Sequence, residues 1–542
     1  MLQSTPRRSW RVGHCLLVLS TILMAAACSP ASQSQQQPTA RNRIVYGLTL
    51  QPSGFDPHIH ASAELGIPLR QVYDTLVYRD PQTQVFVPGL ATEWAISPDG
   101  LTYTFRLRAG ITFHDGTPFN AEAVAANLDR IMNPDTASQR AAFLLGPYLG
   151  YEIVDELTIR LILSSPYSPL LDALSQVYLG IASPAALGQF SNQRYQFNQV
   201  GTGPFAFVEY VPGDRLVIRR YEDYAWGPPF YDLPGLLSVD EVEFRFFTEP
   251  ATRATALESG EADIMGELSP IDASFLTANS AIQILPVAAP GQPLQFLMNT
   301  QRFPTDDLRV RQALIMATNR EAIIDAVFRR FSPLAWGPLS RNMVYAYREL
   351  QDLYSFDPAQ ARTLLEAAGL QDADENGFLD LNGVEIEVNI VAPSWGMIPE
   401  VAQLLQDQWR DAGLRVVIDP VPSLNLLLEA VASGEYNLVA FYEFGLDPVF
   451  LNRYFISSAP NNWLGYANSA LDELLIQATQ IVDPNERFVR YAQAQQIIMQ
   501  DALILPIRDY VNLNGARTSI QNLSFDAYGW FPILNNVIVN PN

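Results

Sequence analysis

The chain has 542 residues, more than one hydrophobic core ordinarily serves, so at least two lobes are expected. Hydrophobic residues make up 48% and charged residues 17%, the balance of a folded protein rather than a disordered one. With 34 basic against 57 acidic side chains the net charge is −23, no Lys occurs, and no basic face is offered to a nucleic acid, which excludes that class of partner.

Residues 1–27 read as a signal peptide. Arg7, Arg8 and Arg11 form a cationic start without acidic residues, and 15–24 is apolar but shorter than the about 20 residues of a membrane span. Ala25-Ala26-Ala27-Cys28 resembles the lipobox of bacterial lipoproteins, which makes Cys28 the expected lipidation site. Ala25 stands where that pattern usually has Leu, and the same alanines also suit ordinary signal cleavage. Residues 28–42, rich in Gln, Ser, Pro and Thr, are expected to be a flexible, lipid-anchored linker. Cys15 lies in the removed segment, so the mature chain holds a single Cys and no internal disulfide.

Further along, alternation predicts strands at 43–50 and 102–108, the second ended by Gly110. Asn120 is placed to cap a helix running through Val124 and Leu128 to Ile131. In the second half Asp357-Pro358 opens a helix that Gly369 closes. A strand at 384–391, a helix at 399–412 closed by Gly413, and strands at 414–421 and 436–442 follow. Helices at 470–480 and 485–502 precede a final strand-like segment. This alternation is that of an α/β protein.

The residues offer little chemistry. No G-x-S-x-G, H-E-x-x-H, P-loop or G-x-G-x-x-G occurs, so no catalytic residue and no cofactor is assigned. His58 and His60 form an H-x-H without a third ligand, which reads as a polar turn after Asp56-Pro57, and His114 sits in a hairpin turn. Asp372, Asp374, Asn376 and Asp380, with Gly377, match the start of a calcium loop, but Gly383 stands where the bidentate Glu belongs. A solvated turn is the favoured reading there, and no metal is assigned.

Several ordered blocks resemble the family 5 extracellular solute-binding proteins of bacterial ABC importers of peptides, nickel chelates and related solutes. They are Tyr73-Asp74-Thr75-Leu76-Val77; Val87-Pro88-Gly89-Leu90-Ala91-Thr92-Glu93-Trp94; Ser97-Pro98-Asp99-Gly100; Leu107 through Phe119; Gly201-Thr202-Gly203-Pro204-Phe205; Arg309-Val310-Arg311-Gln312-Ala313-Leu314; Asp357-Pro358; and Asp447-Pro448. The resemblance runs from residue 43 to the end. It implies a two-lobed periplasmic-binding-protein-like α/β fold of the large type, with the ligand enclosed at the interlobe hinge. Lobe I would comprise 43–291 and 512–542, with an inserted subdomain at about 75–195, and lobe II 292–511. The implied function is capture of a peptide-like or other small organic solute for delivery to an ABC permease, by a monomeric, exported receptor held by its lipid at the outer face of the cytoplasmic membrane. Rival classes are a sensory lipoprotein signalling to a membrane partner and a secreted hydrolase.

In peptide-binding relatives an Asp four residues before the Pro of this Asp-Pro pair holds the ligand's α-ammonium. Here that position is Phe444, and only a one-residue shift brings Glu443 there. A buried ammonium facing a ring loses its ion pair, and cation–π contact returns only part of it. Free-amine peptides are therefore expected to bind less well than is usual for the family, and the cleft to favour apolar or stacked solutes. Phe55, Trp395, Phe441, Tyr442, Glu443, Phe444 and Asp447 are the candidate ligand-binding residues.

Overall fold

The computed structural model describes residues 42–231 and 238–540; the signal peptide, Cys28 and the linker up to Arg41 lie outside the described residues. Arg43–Leu48 is the middle strand of a seven-stranded sheet. Its neighbours Glu241–Phe246 and Ile264–Met265 both run parallel to it. The remaining strands, Phe205–Val211, Arg215–Arg220, Ile282–Ala288 and Val511–Arg517, pair antiparallel outward from these. A four-stranded antiparallel sheet is ordered Ala91–Ile96, Thr102–Leu107, Thr158–Leu163, Tyr148–Asp155. A five-stranded mixed sheet is ordered Arg415–Val421, Glu387–Pro393, Leu438–Phe441, Leu294–Met298, Ile504–Arg508.

The buried apolar residues divide in the same way. One pair of cores is drawn from Ile44 to Ile282 and Leu513 to Val537, the other from Leu294 to Ile507. Two bodies result, and the chain passes between them twice, at 289–293 and at Asp509-Tyr510.

Local signals account for most element ends. Asn120 Oδ1 accepts from Ala123 N at 2.9 Å and starts the helix Ala121–Met132. Asp357 accepts from Gln360 N at 2.9 Å ahead of Pro358–Ala367, and Gly369 ends that stretch at φ +89°. The strand expected at 384–391 is instead broken. Asn382 and Gly383 both have positive φ, the requirement of a tight hairpin turn, so Val384–Glu385 fold back on Asp380–Leu381 before Glu387–Pro393 joins the larger sheet. Among the described residues no helix is long and apolar enough to cross a membrane.

The first crossing is held tightly. Gln292 N donates to Glu443 O at 2.7 Å, Gly445 N to Pro290 O at 3.0 Å, and Gly291 N to Ser340 Oγ at 3.0 Å. Gly291 has φ +148°, and a β-carbon there would lie 2.1 Å from Glu443 O. Gly291→Ala is therefore expected to cost more than about 1 kcal/mol, since neither the backbone angle nor the space admits a methyl. Chemical denaturation of the variant beside the parent checks this.

Candidate ligand cleft

Strand Leu438–Phe441 delivers the segment that follows it to the boundary between the two bodies. There a cavity of about 620 Å³ opens, walled on one side by the first body, including Ala61, Arg140, Phe143, Tyr167 and Asp172, and on the other by Glu443, Phe444, Asp447, Phe450 and Arg453. Its size and mostly apolar wall with a few charged groups suit a small organic ligand.

The acids on this wall are already engaged. Asp172 lies 2.9 Å from Arg79 Nε and accepts from Tyr528 OH and Gln176 Nε2, each at 3.1 Å. Burial, opposed by Arg79 and reinforced by the charge of Asp447, pushes its carboxyl above the usual range. Glu443 accepts from Arg453 at 2.7 Å and Tyr454 OH at 2.8 Å. Asp447 is bound bidentately by Arg487 at 2.6 and 2.8 Å and caps the turn at Val449 N. Arg140 differs from the other cations here. It makes no ion pair among the described residues, its Nε is buried without a hydrogen-bond partner, and its guanidinium lies 4.9 Å from the Tyr178 ring centroid. The uncompensated charge on the wall is thus positive.

Of the residues singled out from sequence, Glu443, Phe444 and Asp447 line this cavity. Phe444 also packs on Tyr510, Trp530 and Tyr442, with ring centroids 4.7, 5.3 and 5.4 Å away. Tyr442 stacks on Tyr510 at 5.5 Å, and Phe441 packs on Tyr454 and Trp463 within the second body. Trp395 is half-buried against the cores of that body. Phe55 is fully buried among Tyr210 and Phe246, away from the cavity wall. Arg140, Tyr167 and Asp172 carry no local motif, and sequence reasoning did not single them out.

Asp372, Asp374 and Asp380 offer carboxylate oxygens within 4.8 Å of one another. Asp372 accepts from Asn376 N and Gly377 N, both at 3.0 Å, and Asp374 from Asn376 N at 3.2 Å, so both carboxylates accept backbone N–H groups of their own turn. His114 Nε2 lies 2.9 Å from Gly203 O. His58 is fully buried, with Nε2 2.9 Å from Gly180 O and Nδ1 2.8 Å from Arg130 Nη1, so it is held neutral as a donor to the carbonyl. Burial and the Arg130 charge lower its pKa to about 4. The unfolded chain takes up this proton near the ordinary value of about 6.5. Stability is therefore expected to fall as pH drops from about 6.5 toward 4, with His58 contributing a slope of about 1.4 kcal/mol per pH unit. His58→Gln, which can still donate to Gly180 O, should remove that one-proton share from the acid limb of a denaturation series.

A family model for the bacterial extracellular solute-binding proteins, family 5, matches residues 85–462. The glutathione-binding protein GsiB of Pectobacterium atrosepticum is 31% identical over 426 residues, covering 76% of this chain and 78% of the relative. NikA from Brucella suis, solved with Fe(III)-EDTA, superposes with a TM-score of 0.81 at 23% identity, over 92% of this chain and 100% of NikA. DppA from Helicobacter pylori, solved with the peptide STSA, gives 0.70 at 24% identity, over 92% and 98%. The two bodies are accordingly the lobes of a periplasmic-binding fold, and the chain belongs to the family 5 extracellular solute-binding proteins, receptors that deliver a solute to an ABC importer.

Proposed function

We propose that this receptor encloses a small organic solute in the interlobe cavity, between lobe I (43–291 and 512–542, with a subdomain at about 75–195) and lobe II (292–511). The single observation that carries this is the cavity of about 620 Å³ with one wall from each lobe. A ligand that touches both walls favours the arrangement in which they face each other, and a permease reads that arrangement. Phe444 occupies the place of an amine-binding acid, and Glu443 is spent on Arg453 and Tyr454. The solute is therefore a molecule with an apolar or aromatic body that presents a carboxylate or other acceptor to Arg140, rather than a peptide anchored there by its α-ammonium. GsiB is named for glutathione, and NikA and DppA were solved with Fe(III)-EDTA and the peptide STSA, molecules that all carry carboxylates.

The chain acts as a monomeric binding protein that returns its solute unchanged. Cys28 carries a lipid that holds it at the outer face of the cytoplasmic membrane, with 28–42 as tether; palmitate labelling lost in Cys28→Ser tests this. A thermal-shift screen of peptides, sugars, organic acids and metal chelates tests the receptor reading. Ligand at 100 times its dissociation constant should stabilise by about 2.7 kcal/mol. A screen in which no class shifts the midpoint would overturn the reading, as would conversion of the solute to product.

A further inference from the structure

The acids on the cavity wall are spent on protein partners, but one phenol there is not. Tyr167 lines the cavity and is half-buried, and its hydroxyl makes no hydrogen bond among the described residues. That oxygen is accessible rather than sealed in the packing. The charges of Asp172 in lobe I and Asp447 in lobe II both act on it. Neither carboxylate takes its proton, because Asp172 is held by Arg79, Tyr528 and Gln176, and Asp447 by Arg487.

The phenol is also held in place. Tyr103 OH donates to Tyr167 O at 3.1 Å, and Ser168 N and Oγ both donate to Thr479 O at 2.9 Å. Thr479 belongs to lobe II and lines the cavity, so this segment is tied within its own lobe and across the cleft. The ring rests on Gly146, where φ is +60° and a β-carbon would lie 2.6 Å from Tyr167 Cε1. That glycine closes the turn that Arg140 opens: Leu144 N donates to Arg140 O and Gly146 N to Phe143 O, each at 3.1 Å. Phe143, between them, lines the cavity with its side chain 70% exposed, an apolar surface that gains from being covered. Arg140, Phe143 and Tyr167 thus offer a cation, an apolar ring and a hydroxyl from one part of lobe I.

We propose that Tyr167 is a specificity-determining residue whose hydroxyl donates to a neutral oxygen of the solute, a ketone or amide carbonyl, while Arg140 takes a carboxylate and Phe143 covers the apolar body. This rests on the receptor reading and narrows it: the solute is an oxo- or acyl-substituted carboxylic acid. The donor role follows from charge. Burial and the charges of Asp172 and Asp447, opposed by Arg487, push the phenol above its ordinary range, so it keeps its proton. The same two charges disfavour an anionic acceptor at that oxygen. Each carboxylate is matched by an arginine, and Arg140 adds a further positive charge, so an ammonium gains little there. A neutral acceptor remains.

Calorimetry on the purified chain with 4-oxo-4-phenylbutanoate and 4-phenylbutanoate, which differ by one carbonyl, tests this. A second pair, 5-oxo-5-phenylpentanoate and 5-phenylpentanoate, varies the spacing. In at least one pair the oxo acid should bind wild type about twofold to tenfold more tightly, the worth of one neutral hydrogen bond. Tyr167→Phe should abolish that preference and leave the plain acid unchanged. Its ligand-free thermal midpoint should match wild type, because the hydroxyl has no protein partner to lose. Arg140→Gln should weaken both acids of a pair alike, by about tenfold or more, and keep the preference. The proposal fails if wild type shows no preference in either pair, or if Tyr167→Phe retains it. It also fails if 4-phenylbutylamine binds and Tyr167→Phe weakens it, which would make the hydroxyl an acceptor. If neither pair binds while another solute class shifts the midpoint, the Tyr167 assignment falls and the receptor reading stands. If no solute class binds, the receptor reading itself falls.

Discussion

Arg487→Met is expected to lose about 3–5 kcal/mol of unfolding free energy, the usual cost of stranding one partner of a buried ion pair. Arg487 and Asp447 are each 4% exposed, and the guanidinium also donates to Ala478 O at 2.7 Å and lies over Tyr345 and Tyr491 at 5.1 and 5.3 Å. Removing it leaves Asp447 with one backbone donor, at Val449 N, while its charge acts on the buried carboxyl of Asp172 across the cavity. Two carboxylates would then share a poorly hydrated space. Adding Asp447→Asn should restore most of the loss, because the uncompensated charge disappears with it. A double-mutant cycle by urea denaturation measures the coupling. A loss below about 1 kcal/mol would class the pair with exposed ones. The same pair fixes the turn that presents Phe450 and Arg453 to the cleft, so the single variant should also weaken solute binding.

The parts of this molecule that were legible in sequence are those decided locally or carried by the family resemblance. Asn120 and Asp357-Pro358 mark helix starts because a cap needs only its own next turn. The break at 384–391 was also locally signalled, by Asn382-Gly383, but the apolar alternation through Val384, Ile386 and Val388 hid it. The segment from Phe441 to Asp447 was located through the Asp-Pro pair, and four of its residues, Glu443, Phe444, Gly445 and Asp447, line the cavity. Their roles were not legible. Glu443 and Asp447 look like free acids until Arg453, Tyr454 and Arg487 are folded against them. Arg140 and Asp172 lie about 270–300 residues earlier in the chain than the lobe II wall they face, and only the topology brings them there. Phe55 illustrates the converse: an aromatic beside Gly54 looks like a platform, but Tyr210 and Phe246 enclose it as core.

The ligand-free molecule should open when Phe444 is reduced to Ala. Phe444 leaves lobe II beside the crossing at Gly291, and its ring meets Trp530, which packs in the lobe I core, and Tyr510 at the second crossing. Aromatic pairs are worth about 0.5–1.5 kcal/mol beyond their area, so losing these two removes about 1–3 kcal/mol from the arrangement in which the lobes face each other. That is roughly a fivefold to hundredfold change in the open–closed ratio. Small-angle scattering should show a larger radius of gyration for the ligand-free variant, and saturating solute should bring it back. Phe444→Leu, which keeps most of the volume but not the ring, should fall between the two. Affinity should weaken by the same factor as the loss of closed population, because the solute must then supply the closing energy that the ring supplied. An unchanged radius together with unchanged affinity would show that the contacts of the ring with Trp530 and Tyr510 do not favour the closed arrangement and that closure rests on the solute.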